Sequence, residues 1–322
     1  MRVLVTGATG FVGSHLVEAL RDRGDEVTAL ARSPTKAAPL SQAGVRVVPG
    51  DLHDPTALHK AVADQDVVFH VAGMIAAKSE TEFLRANRDG TANLVDTAQR
   101  TGRPRLIFVS SMAAGGPSRP GQPLRGDEPP APLTQYGRSK LEAEAVVRAS
   151  PLPWCIVRPP VVYGPRDYEI LKVFRFAKRG IAPILGDGRQ EISTIYAPDL
   201  ARAIIATATA PAAVGRIYYA CDPVWTTSAG FMTAVGEAMG RTILMVPVAE
   251  PIARGLLSVT GAAAALTGRA TLLTRDKAKE FFAPAWTGDP ATLTRETGWV
   301  PASDLAGGLR ATAAWYREAG WL

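Results

Sequence analysis

A glycine-spaced turn near the start of the chain constrains the fold more than any other feature of the sequence. Residues 3–5 are an apolar strand core, and an amphipathic helical pattern begins at Phe11. The turn between them contains Gly7 and Gly10, and Gly13 follows in the first turn of the helix. Glycine at these positions permits a tight turn, close approach of the backbone to a pyrophosphate, and close packing of helix against strand. The pattern therefore predicts a dinucleotide-phosphate site, and its alternative is a plain tight turn.

Short strand patterns alternate with longer helical patterns over roughly the first third of the chain. This alternation is typical of βαβ units and of a parallel sheet that is covered by helices on both faces. The alternation weakens after about residue 160, where the later helical patterns indicate a second lobe. We therefore predict an α/β fold: a doubly wound parallel sheet of the Rossmann type, with a smaller, mainly helical C-terminal substrate lobe.

The composition is that of an ordinary soluble enzyme. Hydrophobic residues make up 47% and charged residues 20% of the 322 residues, so a sizeable core forms without disulfides or a structural metal. Cys155 and Cys221 lie in apolar stretches and are expected to be buried thiols. His70 has no acidic or histidine neighbours at metal-ligand spacing, so no metal site is expected. The net charge of +6 is scattered among interleaved basic and acidic residues, which argues against a nucleic-acid partner.

No segment indicates export or insertion into a membrane. The N-terminus lacks the charged and apolar regions of a signal peptide. The apolar stretch at residues 252–270 is interrupted by Arg254, Arg269 and several glycines, so it is too broken for a membrane span. The sequence thus predicts a cytoplasmic protein without a membrane partner.

Several further motifs follow the glycine turn in order. They are Gly50-Asp51-Leu52, Phe69-His70-Val71-Ala72-Gly73, Asn87, Val109-Ser110-Ser111, Tyr136-Gly137-Arg138-Ser139-Lys140 and Arg158-Pro159-Pro160-Val161-Val162-Tyr163-Gly164-Pro165. With the glycine turn, they resemble the extended short-chain dehydrogenase/reductase family over nearly the whole chain. The resemblance implies a nicotinamide cofactor and a return of the chain to the sheet near residue 195. We therefore divide the chain into a dinucleotide-binding domain at 1–160, with a returning segment at about 191–221, and a substrate lobe at 161–190 and 222–322.

The resemblance also implies a catalytic group of Ser111, Tyr136 and Lys140. Tyr136 and Lys140 are spaced by one helical turn, so their side chains share one face of a predicted helix. Tyr136 would exchange a proton with the substrate, Lys140 would hold the nicotinamide ribose, and Ser111 would bind the substrate oxygen. Ser110 is the alternative candidate for binding the substrate oxygen. The alternative role of Ser111 is to cap a helix or a turn. The Lys140 ammonium and the cofactor are expected to lower the pKa of the phenol below its ordinary value of about 10. Asn87 either takes part in catalysis or ties its helix to a neighbouring strand.

The residues expected to contact the cofactor come from several separate motifs. They are Gly7, Thr9, Gly10, Phe11, Val12, Gly13, Arg32, Asp51, Leu52, Val71, Ala72, Gly73, Tyr136, Lys140, Pro159 and Val162. The end of the second predicted strand usually decides between NAD and NADP, because an acidic residue there binds the ribose hydroxyl of NAD. Here Arg32 takes that place and Lys36 follows, which favours NADP. NAD stays the alternative, with Arg32 as an exposed loop residue.

The sequence departs from the sugar-nucleotide members of the family at two positions. Those members carry an asparagine where this chain has Val161, and a diphosphate-binding arginine where it has Ile192. The resemblance therefore favours an NAD(P)-dependent oxidoreductase that interconverts an alcohol and a carbonyl on a small, fairly apolar substrate. One alternative is an NAD-dependent sugar epimerase or dehydratase with a tightly bound cofactor, and another is an NADP(H)-sensing binding protein. Analogy with the family allows a homodimer, and residues 115–134 and 252–270 are candidates for a lid.

Overall fold

A seven-stranded parallel sheet forms the centre of the computed structural model, which describes residues 1–266, 270–272 and 274–322. The strands of this sheet stand in the order β11-β6-β5-β4-β1-β2-β3. The strands of the described chain are β1 Arg2–Thr6, β2 Glu26–Ala31, β3 Arg46–Pro49, β4 Val67–His70, β5 Arg105–Val109, β6 Trp154–Arg158, β7 Val161–Tyr163, β8 Ile181–Leu185, β9 Glu191–Ile192, β10 Thr194–Tyr196, β11 Arg216–Tyr219, β12 Thr226–Thr227, β13 Leu244–Val248 and β14 Ala285–Trp286.

Helices follow most of the strands. They are α1 Phe11–Asp22, α2 Pro34–Gln42, α3 Pro55–Val62, α4 Glu80–Phe83, α5 Gly90–Arg100, α6 Met112–Gly115, α7 Gln135–Ala149, α8 Tyr168–Lys178, α9 Ala197–Thr209, α10 Ser228–Met239, α11 Glu250–Leu266, α12 Ala278–Phe281, α13 Ala291–Thr297 and α14 Leu305–Glu318. A π-helical turn, Leu84–Asp89, joins α4 to α5, and a short 3-10 turn spans Pro211–Ala213.

Both faces of the central sheet are buried. Along β1, Val3 and Val5 pack into the core on one face, while Leu4 packs into the core on the other. This is the period-two alternation of a strand that is covered on both sides. The strand order changes direction between β1 and β4, which opens a crevice at the carboxyl ends of these strands. The predicted doubly wound α/β fold is confirmed.

The substrate lobe has its own core and several small sheets. Helices α8, α10 and α14 pack around the buried side chains of Tyr163, Phe174 and Tyr316. Strand β7 pairs with β10, β8 pairs with β13, and β9 lies between β12 and β14. This lobe matches the smaller, mainly helical lobe that the sequence predicts.

The chain passes between the two parts more than once. Helix α9 packs against α1, and β11 then joins the edge of the central sheet beside β6. These contacts lie within the segment of about 191–221 for which the sequence predicts a return. Leu293 and Trp299 also pack in the core of the central sheet, although the predicted division places them in the substrate lobe. The later part of the chain therefore supports both parts of the molecule.

The sequence indicates two segments, residues 115–134 and 252–270, as candidates for a lid over the substrate. Residues 115–134 are largely irregular and are fastened to the end of β14, where the N–H of Leu124 donates to the carbonyl of Thr287 at 2.9 Å. Residues 250–266 form α11, and residues 267–269 of the second candidate lie outside the described residues. In the part of the chain that is described, no helix combines the length and apolar character that a membrane crossing requires.

Candidate active site

A cleft of about 1040 Å³ opens at the carboxyl ends of β1, β4 and β5, at the point where the strand order changes direction. All of the residues predicted to contact the cofactor, and the predicted catalytic residues, line this cleft. They come from the glycine turn, the ends of β2 to β6 and the first turns of α7. The topology therefore gathers residues that are far apart in the sequence onto one wall.

The glycine turn is held by close contacts that leave no room for a side chain. Gly7 has a φ of 76°, and a Cβ there would lie 2.7 Å from the backbone nitrogen of Ala72. A Cβ on Gly13 would lie 2.1 Å from the carbonyl oxygen of Gly7. The N–H of Gly10 donates to that same carbonyl at 2.9 Å and closes the turn. The start of α1 is thus drawn against the end of β1.

The residues at this turn fit the phosphates of a dinucleotide. The first turn of α1 has no acidic side chain, so its backbone N–H groups and partial positive charge face the cleft uncompensated. Arg32 and Lys36 line the cleft where β2 ends, and no ion pair within the described residues involves either of them. This donor set suits a phosphate on the adenosine side of the cofactor.

Tyr136 lies in the first turn of α7, at the inner end of the cleft. Thr134 caps this helix by accepting a hydrogen bond from the N–H of Gly137 at 3.1 Å. Burial raises the pKa of Tyr136 to about 12, while a hydrogen bond with the hydroxyl of Ser111 acts in the opposite direction. Glu280 adds to the increase. In the protein alone the pKa therefore lies above its ordinary value of about 10, because burial outweighs the other influences; the lowering expected from Lys140 and the cofactor together stays a prediction.

Lys140 lies one turn further along α7 and is only 3% exposed. Its Nζ donates to the carbonyl of Val109 at 2.8 Å and stands 4.3 Å from the centre of the Phe108 ring. Burial lowers the pKa of Lys140 to about 7, against the opposing effect of Glu144. A Cβ on Gly73 would come within 3.4 Å of Nζ, so Lys140 borders the open space above that glycine.

The two serines after β5 have different environments. The hydroxyl of Ser110 donates to Oε1 of Glu144 at 2.6 Å, and it therefore points into the protein. Ser111 caps α6 by accepting from the N–H of Ala113 at 3.1 Å, and its hydroxyl also reaches Tyr136. The structure thus places Ser111, rather than Ser110, beside the phenol, and it shows the cap as well.

Sequence reasoning missed a buried ion pair beneath this serine pair. Arg158 donates from Nε and Nη2 to the carboxylate of Glu144 at 2.9 Å and 2.7 Å, and both side chains are buried. Arg158 also donates to the hydroxyl of Tyr219 at 3.1 Å, which ties the site to β11. Glu144 lies one turn after Lys140 on the same helix face, and this spacing was the available sequence signal.

Asn87 and His70 are hydrogen-bonded within the protein. Oδ1 of Asn87 accepts from the N–H of Met74 at 2.7 Å, and its amide donates to the carbonyl of Met74 and to Ser139. Asn87 therefore ties its helix to the chain after β4, one of the two alternatives raised by the sequence. His70 bonds the hydroxyls of Thr6 and Thr91 at 2.7 Å and 2.9 Å.

The substrate side of the cleft combines a larger apolar group of residues with a smaller polar group, which is Asp167, Glu169, Gln190, Ser193, Lys277 and Glu280. Its apolar lining residues are Met74, Ile75, Met112, Val161, Ile170, Ile192, Leu272, Phe281 and Trp286. Val161 and Ile192, the two departures from the sugar-nucleotide pattern, both belong to this wall.

A segment near the C-terminus closes this wall above Tyr136. Glu280 accepts a hydrogen bond from the hydroxyl of Thr134 and pairs with Lys277, whose Nζ lies 5.6 Å from the centre of the Tyr136 ring. Asp276 accepts from the N–H of Gln135 at 2.8 Å. No motif in the sequence pointed to these residues, which reach the site only through the fold.

The fold and the site together define an enzyme of the short-chain dehydrogenase/reductase type. The family model of the NAD dependent epimerase/dehydratase family matches residues 3–221, and the chain belongs to this family. The resemblance seen in the sequence is therefore confirmed. As a member, the chain is an NAD(P)-binding oxidoreductase or epimerase.

Comparisons with known proteins give both reductases and epimerases as relatives. The ceramide reductase of Caulobacter vibrioides is 32% identical, over 99% of this chain and 96% of its own. The 2-alkyl-3-oxoalkanoate reductase of Stenotrophomonas maltophilia is 30% identical, over 96% of this chain and 98% of its own. A UDP-glucose 4-epimerase of Thermus thermophilus, solved with NAD, has a TM-score of 0.80 at 25% identity and covers 99% of this chain and 100% of its own. These relatives support a nicotinamide cofactor.

Proposed function

We propose that this enzyme is an NADP-dependent oxidoreductase that interconverts a carbonyl and an alcohol on a fairly apolar substrate. The observation that carries the proposal is the apolar group of the substrate wall next to Tyr136, which includes Val161 and Ile192. The resemblance of the sequence places these two residues where sugar-nucleotide members of the family carry polar contacts. An apolar wall favours an apolar substrate, because a diphosphate would lose its hydration there, and the cation of this wall, Lys277, is already paired with Glu280. The names of the two reductase relatives, with their ceramide and alkyl-oxoalkanoate substrates, agree with this chemistry.

The residues of the site take complementary parts in this reaction. The nicotinamide cofactor, when bound, supplies or accepts the hydride. Tyr136 is protonated at neutral pH because its pKa is about 12, so in the reducing direction its hydroxyl donates a proton to the carbonyl oxygen. Ser111 donates a hydrogen bond to that same oxygen and keeps it against the phenol. Lys140 holds the nicotinamide ribose through the N–H donors that Val109 leaves free.

The start of α1 and the residues around it would hold the cofactor. The N–H groups at the start of α1 would bind the pyrophosphate, and Asp51 and Leu52, which line the same cleft, would lie by the adenine. Arg32 would pair with a ribose phosphate, which only NADP carries.

Replacing Tyr136 with Phe tests the catalytic assignment. The variant keeps the ring and its packing but removes the proton donor, so kcat is expected to fall by about 100-fold to 10,000-fold while NADPH binding persists. The matched control is Tyr168→Phe, which changes an exposed ring and should leave kcat unchanged. A Tyr136→Phe enzyme with full turnover would remove the phenol from the mechanism.

A comparison of NADPH and NADH tests the cofactor assignment. Arg32→Ala removes the phosphate partner and is expected to weaken NADPH binding about 10-fold to 100-fold with little effect on NADH. Arg148→Ala, which removes an exposed cation at the far end of α7, is the control. Equal losses for both cofactors in Arg32→Ala would show that Arg32 does not read the ribose phosphate.

A sugar epimerase or dehydratase is the second candidate, favoured by the similarity to the epimerase of Thermus thermophilus. Such an enzyme retains its NAD, because its cofactor is regenerated within each turnover. Denaturing the purified protein and identifying any released nucleotide separates the two candidates. Stoichiometric NAD would favour the epimerase, and little nucleotide with a preference for NADPH would favour the reductase. The hypothesis of an NADP(H)-sensing binding protein has the least support, since such a protein has no need of the assembled Ser111, Tyr136 and Lys140.

A further inference from the structure

Two strands of the substrate lobe expose a row of apolar side chains. Strands β8 and β13 run parallel, with Ile181 opposite Leu244 and Pro183 opposite Val246. All four side chains are exposed, whereas the alternate residues in the middle of β8 are buried. Since successive side chains point to opposite faces of a strand, the four exposed residues share the outer face of this ribbon.

The helix α11, which follows β13 after a single intervening residue, also exposes apolar side chains. In α11, Ile252, Leu256 and Val259 are 61%, 59% and 67% exposed. Their spacing places them on one side of the helix, while Ala253 and Leu257 are buried on another. We call these three residues and the four of the ribbon the apolar face. Large apolar side chains exposed in consecutive elements indicate an interaction surface rather than scattered surface residues.

Basic residues stand at one end of the ribbon. Lys178 and Arg179 lie within three residues before the start of β8, and Arg241 lies three residues before the start of β13, so all three are near the end where the two parallel strands begin. All three are exposed, and in the described part of the chain none of them forms an ion pair. At the other end of the ribbon, the acidic side chains of Asp187 and Glu250 are each paired with an arginine, so the unpaired charge of the ribbon is positive. An apolar surface with basic residues at its border complements an anionic lipid surface.

The ribbon is poorly suited to binding a second copy by strand pairing. Pro183 in β8 and Pro247 in β13 have no N–H group to donate. Proline at an edge is a common means of preventing one sheet from extending into another. The apolar face therefore favours a partner that needs no backbone hydrogen bonds, such as the headgroup region of a bilayer.

Helix α11 also lies directly outside the candidate active site. The guanidinium of Arg254 stands 5.5 Å from the ring centre of Phe282, and the neighbouring Phe281 lines the cleft. One side of α11 thus packs on the segment that closes the substrate wall, and another side carries the apolar face. A surface that bound α11 would lie close to the substrate side of the cleft.

We propose that the apolar face docks this enzyme reversibly on the surface of an anionic lipid bilayer. The contact is peripheral: the apolar side chains enter the headgroup region, and Lys178, Arg179 and Arg241 pair with lipid phosphates. It extends the proposed function, because an apolar substrate partitions into the same layer, but it does not depend on it. The expectation drawn from the sequence alone is the opposite, that the chain has no membrane partner, and the vesicle experiment below decides between the two.

Sedimentation with lipid vesicles tests the proposal on the full chain. The protein is expected to bind vesicles of phosphatidylcholine mixed with phosphatidylglycerol, to bind pure phosphatidylcholine more weakly, and to lose the difference as salt increases. The double variant Lys178→Glu/Arg179→Glu should weaken binding to the anionic vesicles by at least about 25-fold, taking about five-fold for each lost charge. Leu244→Ser/Leu256→Ser should weaken binding on the order of 10-fold or more at every salt concentration.

Val214→Ser is the matched control, because Val214 is an exposed apolar residue at the opposite, amino end of the central sheet. Each variant is compared with the parent by its thermal unfolding midpoint, which surface changes should leave nearly unchanged. Absence of binding to either vesicle, or equal losses in Val214→Ser and Leu244→Ser/Leu256→Ser, would overturn the proposal. So would a dimer in sedimentation equilibrium that Leu244→Ser dissociates, since a second copy would then cover the face. Vesicle binding needs no turnover, so this result is independent of the proposed function.

Discussion

The two halves of the cleft are built in different ways. The cofactor half consists of glycines, strand ends and a helix start, and its shape is set by backbone atoms in close contact, as at Gly7 and Gly13. The substrate half consists of apolar side chains from separate segments, such as Val161, Ile192 and Phe281, which meet only in the folded chain. The cofactor half accepts few substitutions, because its shape depends on backbone contacts, and it therefore binds one class of ligand. The half built from side chains can change its ligand by changing residues.

The largest expected effect comes from adding one methyl group to the cofactor half. In Gly13→Ala the new Cβ would lie 2.1 Å from the carbonyl oxygen of Gly7, a backbone atom that cannot rotate away. We expect a loss of more than about 3 kcal/mol in the free energy of unfolding, with loss of NADPH binding. Denaturant unfolding and cofactor titration measure the two effects.

The same substitution in the other lobe serves as the control. Gly255 lies inside α11, has no positive φ, and a Cβ there would meet nothing within 4 Å. Gly255→Ala should therefore stabilise the protein by about 0.5–1 kcal/mol, since alanine favours helix. If Gly255→Ala destabilised the protein as much as Gly13→Ala, close backbone contact would not be the cause of the effect at Gly13.

A second expected effect concerns the buried polar contacts under the cofactor half. Burial lowers the pKa of His70 to about 3, whereas an unfolded histidine has a pKa of about 6.5. Between these values the unfolded state binds the extra proton, so this histidine makes the protein less stable as the pH falls. The loss amounts to about 2 kcal/mol near pH 5, from the difference between the two pKa values.

His70→Gln isolates this contribution. Asp167 and Asp222, whose pKa values burial raises to about 6 and about 7, act in the opposite direction in both proteins and cancel in the comparison. The stability difference between the parent and the variant should shrink by about 2 kcal/mol between neutral pH and pH 5. Urea unfolding at a series of pH values measures it, and a constant difference would show that the pKa of His70 is the same in the folded and unfolded states.

The smallest expected effect is confined to the substrate half. Phe281→Ala removes apolar surface from the cleft wall and should raise KM for an apolar ketone about 10-fold, while KM for NADPH stays unchanged. Phe282→Ala is the control, because its ring lies under Arg254 and outside the cleft. Steady-state kinetics with the ketone and NADPH varied in turn would measure the two KM values separately. A parallel increase in both KM values would mean that the two halves are not independent.

The cofactor half of the cleft could be predicted from the sequence, whereas most of the substrate half could not. The glycine turn and the pair Tyr136 and Lys140 are local patterns, since each lies on one strand, turn or helix. Glu280 is distant in sequence from Tyr136, and only the packing of α12 brings them together. The increase in the pKa of Tyr136 could not be predicted for the same reason: burial depends on the whole fold, whereas the sequence pointed only to Lys140 and the cofactor, which lower the pKa.

Ser110 and Ser111 illustrate a further limit. A motif narrows the choice to adjacent residues, but the direction of each side chain depends on its partners. Here the buried pair of Glu144 and Arg158 holds Ser110 inward, which leaves Ser111 beside the phenol. Neither member of that pair belongs to the predicted catalytic group, although both keep it in place.

The hydroxyl of Thr134 has a practical consequence for enzyme engineering. It accepts from Gly137 at the start of α7 and donates to Glu280, while the adjacent Gln135 N–H donates to Asp276. Exchanging residues 274–286 for the matching loop of another enzyme, to graft a new specificity, would remove both of these acceptors. A successful graft must therefore carry a carboxylate at each of the two positions, or the transplanted loop will alter the start of the helix that presents Tyr136.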